Sequence, residues 1–99
     1  MVKRSRTSSF PSKNLAVAIA WAREVATYVT SKTGAEAKLD LAMCGNPYRI
    51  PWVGQTENLG AHEQAWNKAM GDPKYLESLS KAADVFLAGS SVDEFWQSI

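Results

Sequence analysis

The sequence predicts a single α+β domain of order β-α-β-β-α-β, with antiparallel strands backed by two helices. Three observations carry this prediction. Apolar residues recur at every second position from Ala35 to Val53, whereas the segments on either side repeat every third or fourth. Gly45-Asn46-Pro47 divides the alternating stretch into two strands. At 99 residues the chain has the length of one domain, and no linker or internal repeat divides it.

The first element is a strand over Val2–Phe10, where Arg6, Thr7, Ser8, Ser9 and Phe10 have moderate strand propensity but little apolar alternation. Pro11 restrains the backbone, and Ser12 is the expected cap of a helix over Lys13–Ser31. Leu15, Ile19, Ala22, Val25, Ala26 and Val29 give that helix one apolar stripe, flanked by Trp21 and Tyr28, and Gly34 stops it. In the next strand Ala37, Leu39, Leu41 and Met43 share one side, with Lys38, Asp40, Ala42 and Cys44 on the other. After the turn, Tyr48, Ile50, Trp52 and Gly54 alternate with Arg49, Pro51, Val53 and Gln55. Pro51 lacks a ladder donor, which favours an edge, a bulge or an outward-facing position.

Thr56 is the expected cap of a helix ending near Met70, with Leu59, Glu63, Trp66 and Met70 on successive turns. Gly71 interrupts it. Asp72-Pro73 restarts it, because a carboxylate caps the new helix and the proline occupies a position that needs no donor. An apolar face then runs through Tyr75, Leu76, Leu79, Ala82, Ala83 and Phe86 to a break at Gly89. Val92–Ile99 reads as a last strand with Phe95 and Trp96 on opposite faces.

Composition bounds the function. Apolar residues make up 45% and charged residues 21%, the balance of a globular rather than a disordered chain. A net charge of +1 predicts no continuous basic surface and no nucleic-acid partner, and the short basic cluster Lys3, Arg4, Arg6 reads as a solvated terminus. No run approaches the apolar length of a membrane span. The run Leu15–Ala22 is interrupted by Arg23 and Glu24, so it reads as an amphipathic helix rather than a leader. A single cysteine, Cys44, excludes an intrachain disulfide and fits a reducing, cytoplasmic compartment. One histidine and one cysteine make no metal pattern, and no phosphate-cradling glycine motif is present, so neither a metal nor a cofactor is expected. The four tryptophans are many for this length and point to a pocket or an interface.

The Phe10–Tyr28 strand-to-helix segment, the Ala37–Val53 hairpin, Trp66 through the Gly71-Asp72-Pro73-Lys74-Tyr75 restart, and the Phe95-Trp96 pair together resemble the dimeric α/β-barrel superfamily. Within it, the layout is most similar to the NIPSNAP-like and antibiotic-biosynthesis-monooxygenase-like groups. The resemblance implies ferredoxin-like subunits, each a β-α-β-β-α-β sandwich with a split second helix, paired as a homodimer whose sheets meet through their uncovered sides. It also implies a small organic ligand and, for an enzyme, a cofactor-independent oxygenation, isomerisation or lyase step. The alternative is a non-catalytic ligand-binding or structural dimer. Haem-degrading relatives carry a histidine shortly after the aspartate of the split helix. This chain reads Lys74-Tyr75-Leu76-Glu77-Ser78-Leu79 there, which disfavours haem.

Candidate catalytic residues are His62, Asp40 and Arg49. His62 is the one side chain with an ordinary pKa near neutrality, Asp40 is a second proton carrier, and Arg49 is a guanidinium fork for an oxyanion. Lys38, Trp52, Trp66, Tyr75 and Trp96 are the candidate substrate-binding residues. Lys38, Asp40 and Arg49 are expected on the sheet side away from the helices, which a dimeric barrel would turn into its lumen.

Overall fold

The structure, a computed structural model, describes residues 1–40 and 45–99. Its elements are β1 (Val2–Ser9), a 3-10 turn (Ser12–Asn14), α1 (Leu15–Thr33), β2 (Ala37–Leu39), β3 (Arg49–Thr56), α2 (Leu59–Met70), α3 (Pro73–Ala82) and β4 (Val92–Gln97). The sheet order is β2-β3-β1-β4 with every neighbouring pair antiparallel. The predicted order of elements is therefore the observed one, including the split second helix. The assignments of Leu41, Ala42, Met43 and Cys44 lie outside the described residues.

Register fixes two faces. Val2, Arg4, Arg6 and Ser8 of β1 stand opposite Thr56, Gly54, Trp52 and Ile50 of β3, while Arg4 and Arg6 also face Phe95 and Asp93 of β4. Ala37 and Leu39 of β2 continue the same rows beside Gly54 and Trp52. This face is covered by the helices. Phe10, Ala18, Ala22, Ile50 and Val85 form one core cluster, against which Trp21, Leu39, Trp52 and Phe86 pack. Val25, Ala69 and Tyr75 form a second beneath the junction of the three helices. Small residues on α1 let the helix approach the sheet closely, and Ala18 and Ala22 have no exposure at all.

Several boundaries differ from the sequence reading for local reasons. Ser12 caps nothing, because residues 12–14 form the 3-10 turn and α1 starts at Leu15. The Asn14 amide instead donates to the Val85 carbonyl at 3.0 Å, tying the start of α1 to the loop after α3. Asn58, not Thr56, caps α2: its Oδ1 accepts from the Ala61 N–H at 2.8 Å, and Thr56 closes β3. The buried face of α2 runs through His62, Ala65, Trp66 and Ala69, whereas Leu59, Glu63 and Met70 are exposed. α3 ends at Ala82, so Val85 and Phe86 enter the core from a loop.

Two expectations at helix ends hold. Gly34 has φ 74, the left-handed conformation in which a side chain is strained, and its N–H donates to the Thr30 carbonyl. Asp72 Oδ1 accepts from the N–H groups of Lys74 and Tyr75, with Pro73 following as the first residue of α3. Pro51 sits in a central strand. Its carbonyl accepts from the Asp40 N–H at 3.4 Å, so its missing donor faces β2 where that ladder ends, at Leu39.

Candidate functional site

Alternation in β1 places two arginines under the helices. Arg6 grips Asp93 with a two-point fork, Nε to Oδ1 at 2.7 Å and Nη2 to Oδ2 at 2.9 Å. Arg4 reaches the same carboxylate through one nitrogen at 3.3 Å. The Arg6 hydrogen bond, with the charges of both arginines, pulls the Asp93 carboxyl down to about 2 against the opposing effect of burial. The same bond raises Arg6 above the ordinary guanidinium value. Both guanidinium groups lie over the Trp66 ring, at 5.3 and 5.5 Å from its centroid. This is cation–π geometry on a partly desolvated surface.

One helical turn before Trp66 is His62. Its imidazole meets the Phe95 ring edge-on, centroids 5.2 Å apart and planes at 80°. Burial pushes the imidazole below its ordinary value, and the positive charge of Arg4 pushes it further, with Asp93 acting in opposition. His62 is consequently neutral near neutral pH, and a neutral imidazole can accept a proton.

Arg4, Arg6, His62 and Trp66 border a cavity of about 240 Å³ between sheet and helices. Its walls come from Trp21, Val25 and Val29 of α1, Trp66 of α2, and Tyr75 and Leu79 of α3. Trp52 closes it from the sheet, packed edge-on against Trp21 at 5.8 Å and tilted against Phe86 at 5.7 Å. The Trp21 indole N–H donates to the Ser78 carbonyl, which fixes that ring. Among the described residues, two buried donors have no hydrogen-bond partner, Arg4 Nε and the Trp52 indole N–H. Such groups are uncommon, because leaving one unmade costs about 1–3 kcal/mol.

Of the residues singled out in the sequence, the cavity brings together His62, Trp52, Trp66 and Tyr75. It does not include Lys38, Asp40, Arg49 or Trp96. Lys38 lies 3.9 Å from Glu36, with both side chains about 70% exposed. Asp40 is exposed, and exposed Arg49 donates to the Asn46 carbonyl at 3.1 Å. Trp96 stands on the uncovered face, 57% exposed. Sequence reasoning missed Arg4, Arg6 and Asp93. The available signal was the Arg4-x-Arg6-x-Ser8 spacing, which commits both arginines to one face of a strand. Among the described residues, no three His, Cys, Asp or Glu side chains gather as a metal site. No described helix is long and apolar enough to cross a membrane.

The sheet order, its antiparallel pairing and the helices on one face define the ferredoxin-like α+β class. No protein-family model matches the chain, and no curated protein matches it. Solved structures do. Atu4242 from Agrobacterium tumefaciens, a NIPSNAP-family protein of unknown function, superposes with a TM-score of 0.83 at 16% identity, over 100% of this chain and 94% of that one. An uncharacterised NIPSNAP-domain protein from Burkholderia xenovorans gives a TM-score of 0.85 at 8% identity, covering 100% and 95%. An antibiotic biosynthesis monooxygenase-like protein from Nitrosomonas europaea gives 0.76 at 11% identity, covering 100% and 99%. The chain thus has the fold of the NIPSNAP and antibiotic-biosynthesis-monooxygenase-like structures, in agreement with the resemblance read from the sequence.

Proposed function

We propose that this protein binds a small organic molecule in the cavity between sheet and helices and transforms it by proton transfer to His62. One observation carries the reading: a partly buried imidazole held in its neutral form borders an apolar cavity that also contains two guanidinium groups. Removing a proton from a weakly acidic C–H or O–H requires a base that is unprotonated and a positive field for the resulting anion. His62 supplies the first, and Arg4 with Arg6 supplies the second. Asp93 keeps the Arg6 guanidinium in place without cancelling the charge of both arginines. The reading fits a cofactor-independent oxygenation, isomerisation or lyase step, and the monooxygenase-like neighbour supports that choice by fold alone. In the proposed assembly two copies pair through the open sheet face, where Trp96 and Val92 are more than half exposed.

The test uses a panel of small phenols, hydroquinones and β-keto compounds. Proton exchange with deuterated solvent is followed by NMR, and oxygen uptake by electrode. A compound turned over by the native protein should react about a hundredfold more slowly with His62→Gln, the scale of a lost general base. Equal rates in the two proteins would remove His62 from the chemistry.

A further inference from the structure

We infer that the ligand of this cavity is a small organic monocarboxylate, its carboxylate received by the Arg4 guanidinium and its apolar body held among Trp21, Trp52 and Trp66. The inference rests on the cavity being the ligand site, and it adds the chemical class of the ligand.

The first support is a charge inventory. Two guanidinium groups face the interior, and Asp93 is the carboxylate they share. Glu36 also borders the cavity, but its side chain is about 70% exposed and lies toward Lys38. The interior therefore carries one uncompensated positive charge against walls of tryptophan, valine and alanine. Arg4 keeps about a fifth of its side-chain exposure, 21%, and holds Asp93 by one long contact, so its remaining donors are best satisfied by a bound anion.

The second support is geometric. Arg6 is saturated on one edge by the Asp93 fork, whereas Arg4 offers that carboxylate a single 3.3 Å contact and leaves its Nε with no acceptor. Arg4 therefore keeps donors that the single Nη2 contact does not use, and a carboxylate is the acceptor that suits a guanidinium fork. The guanidinium carbons of both arginines lie over the Trp66 ring, at 5.3 and 5.5 Å from its centroid, so the site is largely organised before a ligand arrives. One net charge and about 240 Å³ suit a monoanion of modest size better than a dianionic phosphate ester. The proton that His62 accepts then comes from elsewhere on the same anchored body.

The experiment titrates matched acid and amide pairs into the full-length protein: phenylacetate with phenylacetamide, indoleacetate with indoleacetamide, and naphthaleneacetate with naphthaleneacetamide. Binding is read by calorimetry and, for the non-indole pairs, by quenching of the cavity tryptophans. The best-bound acid should exceed its amide by about tenfold in affinity, and the preference should vanish in Arg4→Met while the amide binds as before. If Arg4→Met fails to fold by circular dichroism, Arg4→Lys carries the test. It keeps the charge but loses the fork, and the acid preference should fall about threefold. An amide that binds as well as its acid, or an acid preference unchanged in the arginine variants, overturns the carboxylate assignment and leaves the cavity reading standing. Failure of all six compounds to bind overturns the cavity reading itself.

Discussion

On the covered face of the sheet, Arg4 and Arg6 both bond Asp93, lie over the Trp66 ring and are partly shielded by helices. On the open face of the same strands, Lys38, Arg49 and Glu94 extend into water, and the Lys38–Glu36 pair is 3.9 Å apart with both side chains mostly exposed. The residue types are alike, and only the environment differs. The Arg6 hydrogen bond draws the Asp93 carboxyl down to about 2 against the effect of burial, and burial pushes the His62 imidazole below its ordinary value. Water and mobile ions screen the opposite side, where an ion pair contributes little. Within one subunit, the same kinds of side chain are thus coupled to their neighbours on one side of the sheet and screened on the other.

The contrast breaks most visibly at its tryptophans. Trp52→Ala should cost about 3–5 kcal/mol, measured by urea denaturation, because its ring packs against both Trp21 and Phe86. Trp96→Ala on a lone subunit should cost about 0.5 kcal/mol or less. A larger loss there, with a midpoint that depends on protein concentration, would show that a second copy covers the open face.

A smaller effect tests the charges. The folded pKa of Asp93, about 2, lies below the usual carboxylate value of about 3.9. Asp93 therefore contributes stability that is fully present above the unfolded pKa and is lost as pH falls through about 2. Denaturation midpoints taken from neutral pH into acid should show this decline, and Asp93→Asn should flatten it. Its persistence in the variant would assign the acid limb to other carboxylates. The smallest change expected is Lys38→Ala, within about 0.5 kcal/mol of the parent by the same assay. A loss of more than about 1 kcal/mol would place Lys38 inside the contact between two copies rather than at its rim.

Much of the architecture was legible because its signals are local. The two-residue period of Ile50, Trp52 and Gly54, the Gly34 stop and the Asp72-Pro73 restart each reflect backbone rules that tertiary contacts do not override. The site was half legible. His62 and Trp66 lie one turn apart on a helix, so their common facing followed from spacing. Arg4 and Arg6 did not reveal themselves, because polar residues in a terminal strand ordinarily face water, and their burial depends on Asp93 arriving from a strand more than eighty positions away. The row Leu59, Glu63, Trp66, Met70 of helix α2 proved only partly buried, at Trp66, for a related reason. Alanines at 65 and 69 carry little hydrophobic weight, yet they make the close contact, while the larger Leu59 and Met70 remain outside.

Gly54 lies between Ala37 and Arg4 on the covered face, where the cavity opens. Its φ is ordinary, and a methyl group added there would meet only the Glu36 carbonyl, at an unstrained 3.5 Å. The chamber owes part of its room to that missing carbon. Its floor can be raised by a single methyl group, through alanine, with the backbone left in place, which makes this position a dial for the girth of the guest.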